Sequence, residues 1–147
     1  MKYLKGYHES IINGESKLKS QIIPLIESRK LGPNFKKIII DDFVVYQGRD
    51  AKSNDYITLE IASDDDYWFH AKGYPGSHVV LKIKDKLPTQ ETIRKVAKIA
   101  ADNCKCPESK VKVVYCKKKF VKKKSGMNPG QVSVDTLNSY EIIVEKN

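Results

Sequence analysis

Two apolar runs, Lys37-Ile38-Ile39-Ile40 and Phe43-Val44-Val45-Tyr46, are joined by Asp41-Asp42, a hairpin pattern. Gly48-Arg49-Asp50 reads as a turn. Ser53-Asn54-Asp55 then supply cap residues for a short helix over about 53–62, with Ile57 and Ile61 on one side. Tyr67 to Ala71 and His78 to Ile83 read as strands flanking Gly73-Tyr74-Pro75-Gly76. The strongest helical period starts at Thr89, just after Pro88. Ile93, Val96, Ala97, Ala100, Ala101 and Cys104 recur on one face, with Arg94, Lys95, Lys98 and Asp102 opposite, which predicts a helix over about 89–104. Further strands are expected at 111–116, 131–134 and 140–144. The sum is an α+β fold: a mostly antiparallel sheet, one main helix covering a face, and the short helix beside it. Ahead of it, residues 1–35 read as a helical appendage, with helical pattern over Glu15 to Ser20 and a stop at Gly32-Pro33. The expected organisation is therefore 1–35 appendage and 36–147 domain.

Composition narrows this picture. The chain has 147 residues, 40% of them hydrophobic, enough for one domain with a real core. Its 27 Lys+Arg against 18 Asp+Glu leave a net charge of +9. Between Cys104 and Gly130 stand nine lysines and one acid, Glu108, so +8 of that charge sits in one stretch. A uniformly basic polycation is excluded, because apolar runs flank the cluster on both sides. The N-terminus lacks the pattern of a signal peptide, and no apolar stretch reaches the roughly 20 residues that span a bilayer. Cys104, Cys106 and Cys116 are an odd set without framework spacing, expected as reduced thiols in the cytoplasm. No fourth ligand completes a zinc set, and no metal or other cofactor is expected.

Three segments carry candidate chemistry. In Lys117-Lys118-Lys119-Phe120-Val121-Lys122-Lys123-Lys124, six lysines repel one another, and a polyanion relieves that repulsion while its phosphates release counterions. Phe120 between the cations suits a surface that combines stacking with phosphate contact. A solvated loop or a transport tag is the plainer alternative. In Trp68-Phe69-His70-Ala71-Lys72 and Ser77-His78, a hairpin would set His70 opposite His78 and put Trp68, both histidines and Lys72 on one face. Those rings suit an RNA-facing surface or a hydrogen-bonded core. A metal pair lacks a third ligand, and a nucleophilic Ser77 lacks a positioned triad. Arg49 and Lys52 flank a turn and helix start, where a phosphate or plain capping would fit. Asp64-Asp65-Asp66 is expected to face water.

Taken together, Gly48-Arg49-Asp50-Ala51-Lys52-Ser53-Asn54-Asp55-Tyr56-Ile57-Thr58, Asp66-Tyr67-Trp68-Phe69-His70-Ala71-Lys72, Pro75-Gly76-Ser77-His78-Val79-Val80 and Val121-Lys122-Lys123-Lys124-Ser125-Gly126-Met127-Asn128-Pro129-Gly130-Gln131-Val132 resemble the NFACT-R domain. Order and spacing match over about residues 36–147. The family includes ribosome-associated quality-control factors that bind the large ribosomal subunit with tRNA and extend stalled chains. In those long proteins this domain is the RNA-binding part, beside a glycosylase-like domain and a long coiled coil. Those other parts do not fit in 147 residues, so tail synthesis is not expected of this chain alone. Lys124 stands where the family commonly has proline, which adds charge.

The resulting expectation is a non-catalytic RNA-binding module for tRNA or ribosomal RNA, with the large ribosomal subunit as a partner and no membrane. DNA stays open as a second polyanion, and oligomeric state is undetermined. Lys117, Lys118, Lys119, Lys122, Lys123 and Lys124 would contact phosphates, with Arg49 and Lys52 as a second anchor. Trp68, His70, Lys72 and His78 would shape or line the face. The rival readings are a nucleic-acid-processing enzyme using His70 and His78, and a protein adaptor on the ribosome.

Overall fold

A computed structural model describes residues 33–147. The helix expected in the appendage lies outside the described residues. Phe35, assigned above to the appendage, opens strand β1 (Phe35–Ile40), which pairs with β2 (Phe43–Gly48) in the register Ile40↔Phe43. Asp41 and Asp42 take φ of 50° and 71°, the left-handed pair that a two-residue hairpin needs to match strand twist. Aspartate tolerates this region better than most side chains.

Helix α1 (Ala51–Tyr56) begins two residues earlier than the sequence pattern indicates, and its cap is Asp50 rather than Ser53-Asn54-Asp55. Asp50 Oδ1 accepts from Ser53 N at 2.8 Å, and Ser53 Oγ accepts from Asp50 N at 3.0 Å. That reciprocal box satisfies two of the helix's orphan donors and buries Ser53. The helix then widens into one π turn (Ile57–Ile61), which aims Ile57 and Thr58 inward.

Next come β3 (Tyr67–Ala71), β4 (Val79–Leu81), α2 (Gln90–Asp102), β5 (Lys110–Lys117), β6 (Val121–Lys122), β7 (Ser133–Val134) and β8 (Tyr140–Glu145). Thr89 caps α2 by accepting from Thr92 N. Cys104, expected on this helix, lies beyond its end and forms an isolated bridge with Gly76. The main sheet runs β1-β2-β4-β3-β5-β8, with every pair antiparallel. The strand expected over 131–134 shortens to β7, which pairs with β6 in a separate ribbon.

Alternation along β3 divides the interior into two layers. Phe69 and Ala71 face α2 and pack with Val45, Val79, Leu81, Val96 and Val113. Trp68 faces the other way, into a second cluster with Ile57, Val80, Cys116 and Val121. Full burial of side chains such as Phe69 contributes about 1.5–3 kcal/mol each. The second layer is roofed by α1, the π turn and the β6–β7 ribbon, and its open end forms the site described next.

Candidate nucleic-acid interface

Trp68 pairs with Val80 and Phe69 with Val79, so His70 falls opposite His78 where the hairpin opens. The rings meet as the strand pattern predicts. His70 and His78 are 5.2 Å apart and edge to face, and Trp68 stacks on His70 at 5.9 Å and 19°. Trp68 also meets His78 edge-on at 5.2 Å. Both Trp68 and His78 are only 2% exposed, while His70 is half-buried.

A hydrogen-bonded chain fixes this cluster. Trp68 Nε1 donates to Thr58 Oγ1 at 3.1 Å, and Thr58 Oγ1 lies 2.9 Å from His78 Nδ1. With one lone pair taken by the indole, the Thr58 hydroxyl keeps a proton and a second lone pair for Nδ1, so it can serve either tautomer of the ring. The His78 ring also bonds the Gly130 backbone. Burial, followed by the neighbouring His70, pushes the His78 pKa down to about 3. His70 is lowered too, chiefly by burial, against a backbone bond with Gly76 that raises it. Both rings are therefore neutral at pH 7.

The backbone around the rings is locked by polar side chains. His78 N donates to Asn54 Oδ1 at 3.0 Å, and Asn54 Nδ2 donates to the Gly76 carbonyl at 3.3 Å. Ser77 Oγ donates to the Gly48 carbonyl at 2.7 Å. Gly48 and Gly76 are required by close approach. A Cβ on Gly48 would sit 2.0 Å from Asn54 Oδ1, and one on Gly76 would sit 2.8 Å from Cys104 Cα.

Above the rings opens a groove of about 920 Å³, walled by Arg49, Tyr74, Lys105, Asn128 and Gln131 with His70 in its floor. A second recess of about 390 Å³ continues past His70 toward Lys72, Thr136 and Ser139. Lys72 is exposed there and paired with Glu141 at 2.5 Å. Four stretches far apart in the chain thus meet at one place: the start of α1, the β3–β4 hairpin, the segment after α2 and the Asn128–Gln131 turn.

The lysine run does not line the groove. Lys117 lies beside Tyr67, at the other end of β3 from His70, about 10 Å along the strand. Lys117 and Lys119 approach Asp65 at 3.6 and 4.0 Å, and Lys119 also lies over the Phe120 ring. Asp65 thus accompanies cations while exposed, whereas Asp66, also expected to face water, is buried and accepts from Ser63 N, Ile83 N and the Lys82 ammonium. Lys123 is a structural brace. It pairs with Asp55 at 3.1 Å and donates to the Asn128 and Gln131 carbonyls, pinning the groove's far wall. Among the described residues, no ion pair engages Arg49, Lys52, Lys118, Lys122 or Lys124. Arg49, Lys52, Lys122 and Lys124 are exposed, and Lys118 is half-buried.

Sequence reasoning passed over Asn54 and Thr58 as structural pins, and over Tyr74, Lys105, Asn128 and Gln131 as lining. The Asn128-Pro129-Gly130 turn signal marked a loop without saying where it docks. Among the described residues, no group of three or more His, Cys, Asp or Glu could hold a metal ion, and no helix is long and apolar enough to cross a membrane.

Comparison with known proteins reaches the same region of the chain. Residues 35–136 match the family described as the NFACT protein RNA binding domain. The chain is 41% identical over 93 residues to the Rqc2 homolog RqcH of Bacillus subtilis (strain 168), covering 63% of this chain and 16% of that protein. It is 34% identical over 133 residues to the Rqc2 homolog RqcH of Streptococcus suis (strain 05ZYH33), covering 89% of this chain and 21% of that one. The archaeal Rqc2 homolog aRqcH of Methanocaldococcus jannaschii is 32% identical over 77 residues, 52% of this chain and 12% of the relative. The chain therefore spans only about a fifth or less of the length of these relatives. Among solved structures, the C-terminal part of the fibronectin/fibrinogen-binding protein from Streptococcus suis superposes with a TM-score of 0.70 at 25% identity, over 88% of this chain and 56% of that one.

Proposed function

The chain belongs to the NFACT family through the RNA-binding domain at residues 35–136, and from that premise we propose that it is a non-catalytic RNA-binding module acting on tRNA or ribosomal RNA at the large ribosomal subunit, in the cytoplasm. The observation that carries this reading is the convergence of the four motif segments on one groove, with Arg49 and Lys105 in its lining and Lys122 and Lys124 exposed and without an ion pair in the segment that leads to its Asn128–Gln131 wall. Lys118, Lys122 and Lys124 are free to meet phosphates, and Arg49 does so at the groove mouth. Lys117 and Lys119 join them by exchanging Asp65 for phosphate. The relatives' names point to ribosome quality control as the setting.

Binding fits the histidine pair better than acid–base work. A general base needs an accessible nitrogen with a pKa near the working pH. His78 is only 2% exposed, its Nδ1 is engaged by Thr58, and burial pushes its pKa down to about 3.

Salt-dependent RNA binding by fluorescence anisotropy tests the proposal. Each phosphate contact with a single strand contributes about −0.7 to the slope of log affinity against log salt. Replacing Lys118, Lys122 and Lys124 by serine should flatten that slope by about 2, with the circular dichroism spectrum unchanged. Salt-independent binding, or an unchanged slope in the triple variant, overturns the reading. Capture on ribosomes that survives nuclease treatment would favour a protein adaptor instead.

A further inference from the structure

We infer that the groove over His70 receives an unpaired base of the RNA, so that the domain selects single-stranded segments over duplex. This rests on the RNA-binding reading above and adds which part of the RNA enters the groove. Three observations carry it.

The first is the separation of charge. Apart from the histidines, the charged side chains among the groove's lining residues are those of Arg49, Asp50 and Lys105, and Asp50 is engaged as the α1 cap. The other unpaired lysines lie outside it. A phosphate backbone belongs with the cations on the rim and outer surface, whereas a base belongs among neutral rings and amides. The lining offers the latter.

The second is the supply of recognition groups. Gln131 uses Oε1 to accept from Asn128 N at 3.0 Å, which leaves its amide N–H groups free, and the Asn128 side chain makes no hydrogen bond among the described residues. Both side chains are exposed on the turn that Lys123 pins through the carbonyls of the same two residues. Free amides on a braced turn suit the Watson–Crick edge of a base. In a duplex that edge is already paired.

The third is the floor. His70 is half-buried, neutral and backed by the Trp68 stack, so it offers a fixed ring instead of a mobile charge. Tyr74 stands 36% exposed on the wall. A groove of about 920 Å³ is of ligand size, in the range of roughly 300–1,000 Å³ that small molecules fill. A splayed base can enter it, whereas the stacked, paired bases of an A-form helix cannot leave their column to do so.

The test compares fluorescein-labelled homopolymer single strands of A, C, G and U with a blunt RNA duplex of equal nucleotide count, using the full chain. The parent should prefer at least one single strand over the duplex. His70→Ala and Tyr74→Ala should each weaken that strand about tenfold and leave duplex binding unchanged, as loss of one base–ring contact does. His70→Phe, which keeps a neutral ring, should restore most of the loss. Should His70→Ala fail to fold, Tyr74→Ala, on an exposed loop, decides the matter. Equal binding of strand and duplex, or full single-strand affinity in a folded Tyr74→Ala, overturns the inference while RNA binding stands. Absence of any RNA binding at low salt overturns both.

Discussion

Acidification below about pH 6.5 should destabilise this domain through His78. In the folded state the ring is 2% exposed, has Nδ1 engaged by Thr58, and has a pKa pushed by burial from 6.5 to about 3. An unfolded histidine binds its proton at about pH 6.5, so the unfolded state takes up protons that the folded state refuses. The stabilisation is fully present above pH 6.5 and declines as pH falls toward 3. From pH 7.5 to 5, the unfolded ring becomes almost fully charged while the folded ring stays neutral. The difference is about 1.5 pH units of uptake, or about 2 kcal/mol. His70, lowered in the same direction by burial, adds to the decline. Asp41 and Glu141 are lowered by their bonds to Lys95 and Lys72, so their contribution is lost mostly below this window. Urea unfolding followed by Trp68 fluorescence and circular dichroism, at pH 7.5 and 5, measures the loss. His78→Gln should start less stable but lose about 2 kcal/mol less on acidification. A parent whose stability is flat over this range, or a His78→Gln variant with the same pH dependence, refutes the reasoning.

Other perturbations probe the scaffold that shapes the groove. Thr58→Val removes the link between indole and imidazole and strands two buried ring nitrogens; stability should fall by about 2 kcal/mol or more in urea titration. Gly76→Ala puts a methyl 2.8 Å from Cys104 Cα, so the backbone must move; thermal melting should show a loss of about 1–3 kcal/mol, with weaker RNA binding. Asp50→Ala opens the capping box of α1 and should cost about 1 kcal/mol in the same melt.

Several features of the fold could be read directly from the chain because their causes are local. Asp41-Asp42 between two apolar runs specifies a tight hairpin, and the register Ile40↔Phe43 follows from the two-residue turn. The recurrence of Ile93, Val96, Ala97, Ala100 and Ala101 specifies α2, and all five are buried. Even the His70–His78 contact was readable, since strand period and an antiparallel loop together place them opposite one another. The local pattern does not single out the cap of α1, because Ser53 and Asp50 are both good caps. Which of them ends the turn depends on where β2 delivers the chain.

The site itself was far less legible. In the sequence the lysine run is one block of charge, yet folding gives its members different work. Lys123 braces the 128–131 turn, Lys117 and Lys119 pair with Asp65, and Lys122 and Lys124 remain free. Nothing local distinguishes Lys123 from Lys122, because their fates depend on Asp55, some 70 residues earlier in the chain. Likewise, Lys105, Tyr74 and Asn128 become neighbours of one groove only because Gly76 lets the hairpin touch Cys104 and Gly130 reaches the His78 ring. By itself the sequence determined the elements, their class and the presence of a cationic segment, since period, turn chemistry and charge act over a few residues. Tertiary structure alone decided which cations stay free, which rings are buried and where the groove opens. Those outcomes depend on packing and ion pairing between segments that meet only after the chain has folded.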